Sequence, residues 1–351
     1  MVNMDTILFL SFSVLLGFVT SAIIGKVGLP ILKGLKARQE VREEGPEAHK
    51  SKSGTPTMGG WFFILATLLS LFILSASKTV IGFIGDSFSL GDSFFFLLSG
   101  LLFYAMIGFI DDFLKVVLKQ NLGLRAWQKL VLQIVVVSFL VIFFQNLIKD
   151  TEVARDIVIL QWIIQVPFWV YVPFVVLIFL ATTNATNVTD GLDGLLSGCA
   201  AISFVAFAFI ALMQNKVGVA IFCLVLTGAL LGFLLYNKHP AKVFMGDTGS
   251  LAIGGLLAAV AVVLHAEFLL VIIGGIYVFE TFSVLLQVVY FKYTKKRYGE
   301  GRRIFLMSPF HHHLELKGWN EQKIVRIFYI VCTGCAIVGV ILAYFSNFNI
   351  Y

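Results

Sequence analysis

Apolar runs about twenty residues long recur from one end of this chain to the other, and they leave few folds open to it. A helix needs about 20 such residues to cross roughly 30 Å of hydrocarbon. Runs of that kind lie at 6–25, 58–77, 93–110, 128–148, 168–185, 194–213, 217–236, 249–266, 268–290 and 324–346. Of the 351 residues 59% are hydrophobic and 13% charged, where a soluble domain carries about a quarter charged residues. The expected fold is all-α: one polytopic integral membrane domain, 1–351, of about ten transmembrane helices. The first run has its basic cluster (Lys26, Lys33, Lys36, Arg38) behind it and no small-residue cleavage site, which favours a retained span over a cleaved signal peptide.

A net charge of +6 on its own is compatible with nucleic-acid binding, but the placement of the charges points to topology. With the N-terminus outside, 22 of the 26 Lys and Arg fall in the inner loops 26–57, 111–129, 237–247 and 291–326. Only Lys78, Lys149, Arg155 and Lys216 stay outside, so the positive-inside rule sets the orientation, and an even number of spans returns the C-terminus to the outer side. Further inner loops are expected near 184–194 and 237–249. Cys199, Cys223, Cys332 and Cys335 all sit in apolar runs, where packing is a better reading than a metal or redox site even for the C-x-x-C of Cys332 and Cys335. The outer segment 149–167 reads as an interfacial stretch, with Trp162 and Trp169 near the headgroups, or as a plain connector.

Four polar clusters sit at inner ends of spans. Asp111 and Asp112 follow the run 94–110, about 27 Å of helix from Ser93. Two adjacent carboxylates at a membrane edge are costly unless wetted, paired or bound to a cation, and Lys115 lies one turn on as a partner. In 184–194 (NATNVTDGLDG), Asp190 and Asp193 share a face if the segment is helical, with Asn187 a turn back, while Gly191 and Gly194 admit close backbone approach. In 237–250 (NKHPAKVFMGDTGS), Asp247 stands near the start of the next span, where helix amides and glycine backbone hold phosphate and a carboxylate suits a bridging Mg²⁺. In 308–319 (SPFHHHLELKGW), His311, His312 and His313 do not share one helical face and lack a second ligand pair, which disfavours zinc; they suit hydrogen bonding to an anionic substrate. Gathered on one side, these clusters fit a polyanionic, metal-bound soluble substrate meeting something in the lipid.

The same segments, with 52–60 (KSGTPTMGG), resemble the polyprenyl-phosphate sugar-1-phosphate transferases. The triple histidine and the Thr-Pro-Thr-Met-Gly-Gly stretch resemble the phospho-N-acetylmuramoyl-pentapeptide transferase branch, and the likeness covers almost the whole chain. The resemblance implies transfer from UDP-N-acetylmuramoyl-pentapeptide to undecaprenyl phosphate with Mg²⁺, giving lipid I and UMP, in the bacterial plasma membrane with the site facing the cytoplasm. It implies a homodimer in the membrane as well. Under it, Asp247 is the Mg²⁺ ligand, Asp111 orients or deprotonates the lipid phosphate, and Asp112 supports that residue or the metal. Asn187, Asp190 and Asp193 bind the nucleoside side, with Gly191 and Leu192 giving backbone and shape. Phe244 stacks on uracil, and Gln287, Lys52, Thr57 and Ser308 line the cleft. Asn237, Lys115, Lys129 and His311–His313 contact phosphates or hold the site together.

Glu280 stands apart, near the middle of the ninth run. It is either functional or a carboxylate neutralised by protonation or pairing at a helix break. Two rival functions remain: a transporter, against which the acids at helix ends and the lack of a paired repeat both speak, and a sister transferase handling another sugar.

Overall fold

A computed structural model describes residues 4–35, 54–76, 91–116, 118, 123–144, 156–159 and 161–346. Its helices are α1 (Met4–Gly34), α2 (Gly60–Ala76), α3 (Asp92–Val116), α4 (Ala126–Phe143), α5 (Phe168–Thr189) and α6 (Leu195–Met213). They continue with α7 (Val217–Asn237), α8 (Gly246–Val263), α9 (Glu267–Ile273), α10 (Gly275–Tyr298), α11 (Phe310–Leu316) and α12 (Glu321–Phe345). Among the described residues nine helices are long and apolar enough to cross a membrane, and the 17-residue α2 is a shorter apolar one. The all-α polytopic architecture is therefore present.

Helix α8 is the axis of the bundle. From Thr248 to Val263 every residue is buried, because the helix is built from Gly, Ala and small aliphatics that let neighbours approach closely. Gly255 lies against the Gly100 backbone of α3, Gly254 against Thr182 and Thr183 of α5, and Gly249 against Gly60 of α2. Thr186 Oγ1 ties α5 to α8 by donating to the Ser250 carbonyl at 2.9 Å. On α3, a Cβ at Gly108 would overlap the Asp247 carbonyl, so glycine there sets how near the two acid-bearing helices come. The peripheral helices turn Ile, Leu and Phe outward, as in Leu8, Phe72, Ile142 and Ile330, which suits lipid as the outer solvent.

Four expectations change in detail. Helix α3 does not stop at residue 110 but runs to Val116, because Asp111 is compensated by Lys115 one turn on in the same helix and by Lys129 of α4, and Asp112 by the first turn of α8. The run 268–290 is two helices, broken at the Gly274–Gly275 pair, and α10 continues to Tyr298. The 184–194 cluster is not one helical face: α5 ends at Thr189, and residues 190–194 turn through Gly194 at φ 79°. Within 149–167, residues Asp156–Ile159 and Trp162–Gln165 pair as an antiparallel hairpin (β1, β2), with Ile159 opposite Trp162. Trp162 and Trp169 are each 75% exposed, the posture of indoles at headgroup level. All four cysteines are free, and Cys332 Sγ points at the Cys199 carbonyl, 3.6 Å away.

Candidate active site

The first turn of a helix leaves amide hydrogens without partners. Met245, at the cap position of α8, has no side chain that accepts one, and the acceptor comes from α3. Asp112 Oδ1 accepts the Asp247 amide (3.1 Å), and its Oδ2 accepts both the Thr248 amide (2.9 Å) and the Thr248 hydroxyl (2.6 Å). Gly246 makes this possible: at φ 75° it turns the chain so that α8 opens directly above Asp112. The 52–60 segment zips onto the same turn. The Phe244 amide donates to the Pro56 carbonyl (2.8 Å), and the Gly59 and Gly60 amides donate to Phe244 and Met245 (2.9 Å each). Thr57 is thereby buried beside Gly246.

Asp247, now fixed at the mouth of α8, is a meeting point of four helices. Its Oδ1 accepts from Asn187 Nδ2 at 2.6 Å, and its Oδ2 is shared by Lys115 Nζ at 2.8 Å and Lys129 Nζ at 2.9 Å. Asn187 also donates to Ser250 Oγ, so the amide is held in one orientation. Asp111 pairs with the same Lys115, lies 3.8 Å from Lys129 Nζ, and accepts the Leu124 amide at 2.7 Å. Half-buried Asp190 closes the group at the end of α5. Loss of hydration, and then the negative charges of Asp247, Asp112 and Asp193, push its carboxyl well above the usual carboxylate range. Four acidic side chains set around two ammonium groups present hard oxygens and cations side by side, a combination suited to holding a metal-bound polyanion.

Asp193 faces elsewhere. Its Oδ2 accepts the Ala241 amide and meets His239 Nδ1, each at 3.0 Å, while Glu321 accepts the Asp193 amide at 2.7 Å and lies 3.1 Å from the same His239 nitrogen. This knot binds the 190–194 turn to the loop after α7 and to the start of α12. Neither His239 nor Glu321 stands out in the sequence, since no spacing rule joins positions 193, 239 and 321; His239 was hidden within a segment read for Asp247.

The three histidines take three directions on α11, as consecutive helical positions must. His311 is fully buried against Gly191 and Glu280. His312 pairs with Glu315 at 2.6 Å. His313 Nδ1 accepts the Leu306 amide at 3.1 Å; partial burial and the charge of Lys317 push this imidazole down, which favours the neutral accepting ring. Gln287 spends its amide on the approach to these residues, with Oε1 accepting from Ile304 and Phe305 and Nε2 donating to Phe305, all at 3.0 Å. Asn237 accepts from Ser197 Oγ (2.6 Å) and donates to the Val243 carbonyl (3.1 Å), bracing the loop from below. Leu192 is buried in the core, Phe244 and Ser308 are half-buried near the turn of α8 and the start of α11, and Lys52 lies outside the described residues.

A bundle of this kind, with its acids and lysines drawn to one set of helix ends, defines a membrane glycosyl transferase: residues 94–265, from α3 through α8, match Glycosyl transferase family 4. Residues 52–64, the stretch that zips onto the turn before Asp247, match phospho-N-acetylmuramoyl-pentapeptide-transferase signature 1. Relatives bearing that enzyme name are similar over nearly the full length. The Bacillus pumilus protein is 45% identical and the Bacillus subtilis (strain 168) protein 44% identical, each over 336 residues, 94% of this chain and 96% of theirs. The chain belongs to the phospho-N-acetylmuramoyl-pentapeptide-transferase family. That membership sets the transporter reading aside.

Proposed function

We propose that this cleft transfers phospho-N-acetylmuramoyl-pentapeptide from its UDP-linked donor to undecaprenyl phosphate, giving lipid I and UMP in the bacterial plasma membrane, with the cleft facing the cytoplasm. The observation that carries the reading is the convergence of Asn187, Lys115 and Lys129 on Asp247, beside Asp111, at the ends of membrane helices. One anion arrives from lipid and another from water, and such a site screens their repulsion and aligns them. A phosphate monoester has a second pKa of about 6, so the lipid nucleophile is mostly ionised at neutral pH and needs little help from a base. An oxygen of the lipid phosphate attacks the phosphorus that carries the sugar; the pyrophosphate bond to UMP breaks, and UMP leaves with the electron pair. Direct attack suits a nucleophile already present. Asp111, anchored by Leu124 and Lys115, orients that phosphate, and Asp112 acts indirectly by holding the start of α8.

The donor set suits Mg²⁺: the carboxylates of Asp247 and Asp111 and the hydroxyl of Ser250 are hard oxygens. Lys115 and Lys129 mark the same carboxylate as a cation-attracting point. When bound there, Mg²⁺ would neutralise pyrophosphate charge, with Asp247 as its principal holder. Purified protein in detergent is expected to release UMP only with both substrates and a divalent cation, to stop in EDTA and to recover with added Mg²⁺. Release indifferent to chelation would remove the metal from the account, and an aspartyl phosphate trapped with donor alone would overturn direct attack.

The 190–194 turn supplies a third check. A Cβ at Gly191 would overlap His311 Nε2, so Gly191→Ala must displace either the turn or the ring. The expected result is a loss of at least about tenfold in kcat/KM for the nucleotide donor, with the KM for lipid phosphate little changed. An equal rise in both KM values would detach this turn from the nucleotide.

A further inference from the structure

Glu280 sits within α10, a spanning helix, with no exposure at all, and the cleft chemistry above makes no use of it. A carboxylate is seldom kept at such depth without a partner. The partner here is His311: Glu280 Oε2 lies 3.2 Å from His311 Nδ1, and both side chains are completely buried. The other ring nitrogen is the informative one. Among the described residues no protein atom hydrogen-bonds to His311 Nε2, although it is buried, and Glu280 Oε1 is likewise without a hydrogen-bond partner. Nε2 faces Gly191, where only the absence of a side chain leaves room for it.

The two imidazole nitrogens point to opposite sides of the ring, and a carboxylate on one dictates where the other aims. The ring is also wedged in place. Phe310, next to His311, packs edge-on against Phe279, next to Glu280, with centroids 5.0 Å apart, so α11 and α10 meet in a fixed register at this pair. His312 and His313 have their Nδ1 atoms committed to Glu315 and to the Leu306 amide. Of the three histidines, His311 alone touches the 190–194 turn through an unpartnered buried nitrogen.

We propose that Glu280 is a positioning residue for transfer: by holding His311 Nδ1 from inside the bundle it aims Nε2 at the Gly191 turn, toward the nucleoside-diphosphate part of the donor, and its effect on turnover passes wholly through His311. The inference rests on the transferase reading above. It goes beyond that reading by giving the intramembrane acid a task and by separating His311 from its two neighbours.

A double-mutant cycle tests it. Glu280→Gln, His311→Asn and the double variant are compared in lipid I synthesis, with kcat, both KM values and the unfolding temperature measured in detergent. Asparagine leaves an amide near the Nδ1 position and nothing at Nε2. Glu280→Gln is expected to lower kcat about tenfold with donor KM within about twofold, and His311→Asn to lower it about a hundredfold. In the His311→Asn background, Glu280→Gln is expected to cost less than about twofold. His311→Gln, whose longer amide reaches toward Nε2, is a second background and is expected to retain more activity than His311→Asn. The inference is overturned if Glu280→Gln costs the same in both backgrounds, if it lowers only the unfolding temperature, or if His311→Asn outperforms His311→Gln. No turnover in the unsubstituted enzyme would overturn the transferase reading and this inference with it, whereas additive losses in an active enzyme overturn the inference alone.

Discussion

Asp247→Asn is expected to lower kcat by about a thousandfold while leaving the protein folded. The substitution preserves shape and an accepting oxygen for Asn187 Nδ2, but it removes the charge that Lys115 and Lys129 share. Lys115 is 39% exposed and keeps Asp111 as a partner, so its ammonium group resettles at little cost; Lys129, 15% exposed, gives up a charge-assisted bond, and the fold loses about 1.5–3 kcal/mol. The chemistry loses far more. Without that carboxylate the two lysines repel each other, the principal holder of the cation is gone, and both phosphates meet a site whose charges are misplaced. Circular dichroism and size-exclusion profiles matching the unsubstituted protein, together with a steady-state rate near background, check the expectation. A loss below about tenfold would move Asp247 out of the centre of the site.

Asp112→Ala is expected to fail differently, losing stability and turnover together. Asp112 is 4% exposed and accepts three hydrogen bonds from the first turn of α8, two of them from amides that have no other acceptor on their own helix. A hydrogen bond contributes about 0.5–1.5 kcal/mol net, so losing three costs about 1.5–4.5 kcal/mol, in line with the roughly 0.5–2 kcal/mol that removing a single capping group costs. A loss of about 2–4 kcal/mol follows, seen as a fall of several degrees in the unfolding temperature. Because the same turn carries Asp247, turnover is expected to drop about a hundredfold. Asp112→Asn, which keeps one accepting oxygen, should recover part of both quantities. Unchanged stability in Asp112→Ala would show that another group caps α8.

The contrast between these two acids marks how far a single chain can be read without its fold. Span number follows from the bilayer, which demands helices of set length, so apolar run length carried that information directly. The acids at helix ends were visible because charge is scarce in such a chain. What each acid does was not visible. Asp112 and Thr248 are 136 positions apart, and nothing local announces that one caps the helix of the other. Asp190 and Asp193 look alike on a helical wheel, yet the helix ends between Asn187 and Asp190 and sends Asp193 to His239 and Glu321. Hydropathy ended α3 near Ile110, because it measures solvent preference, whereas the helix continues for as long as Asp111 and Asp112 find partners. The break at Gly274 fell inside an unbroken apolar run, with only the glycine doublet as a local sign.

Lipid-linked product formed by purified protein tests the central claim most directly. The protein in detergent is incubated with UDP-N-acetylmuramoyl-pentapeptide, undecaprenyl phosphate and Mg²⁺, and the organic extract is weighed by mass spectrometry beside a parallel reaction with UDP-N-acetylglucosamine. The account predicts a species with the mass of undecaprenyl-pyrophosphoryl-N-acetylmuramoyl-pentapeptide, one UMP released per molecule, and neither with the second nucleotide. An empty extract from folded protein, or equal use of the two sugar nucleotides, would contradict it.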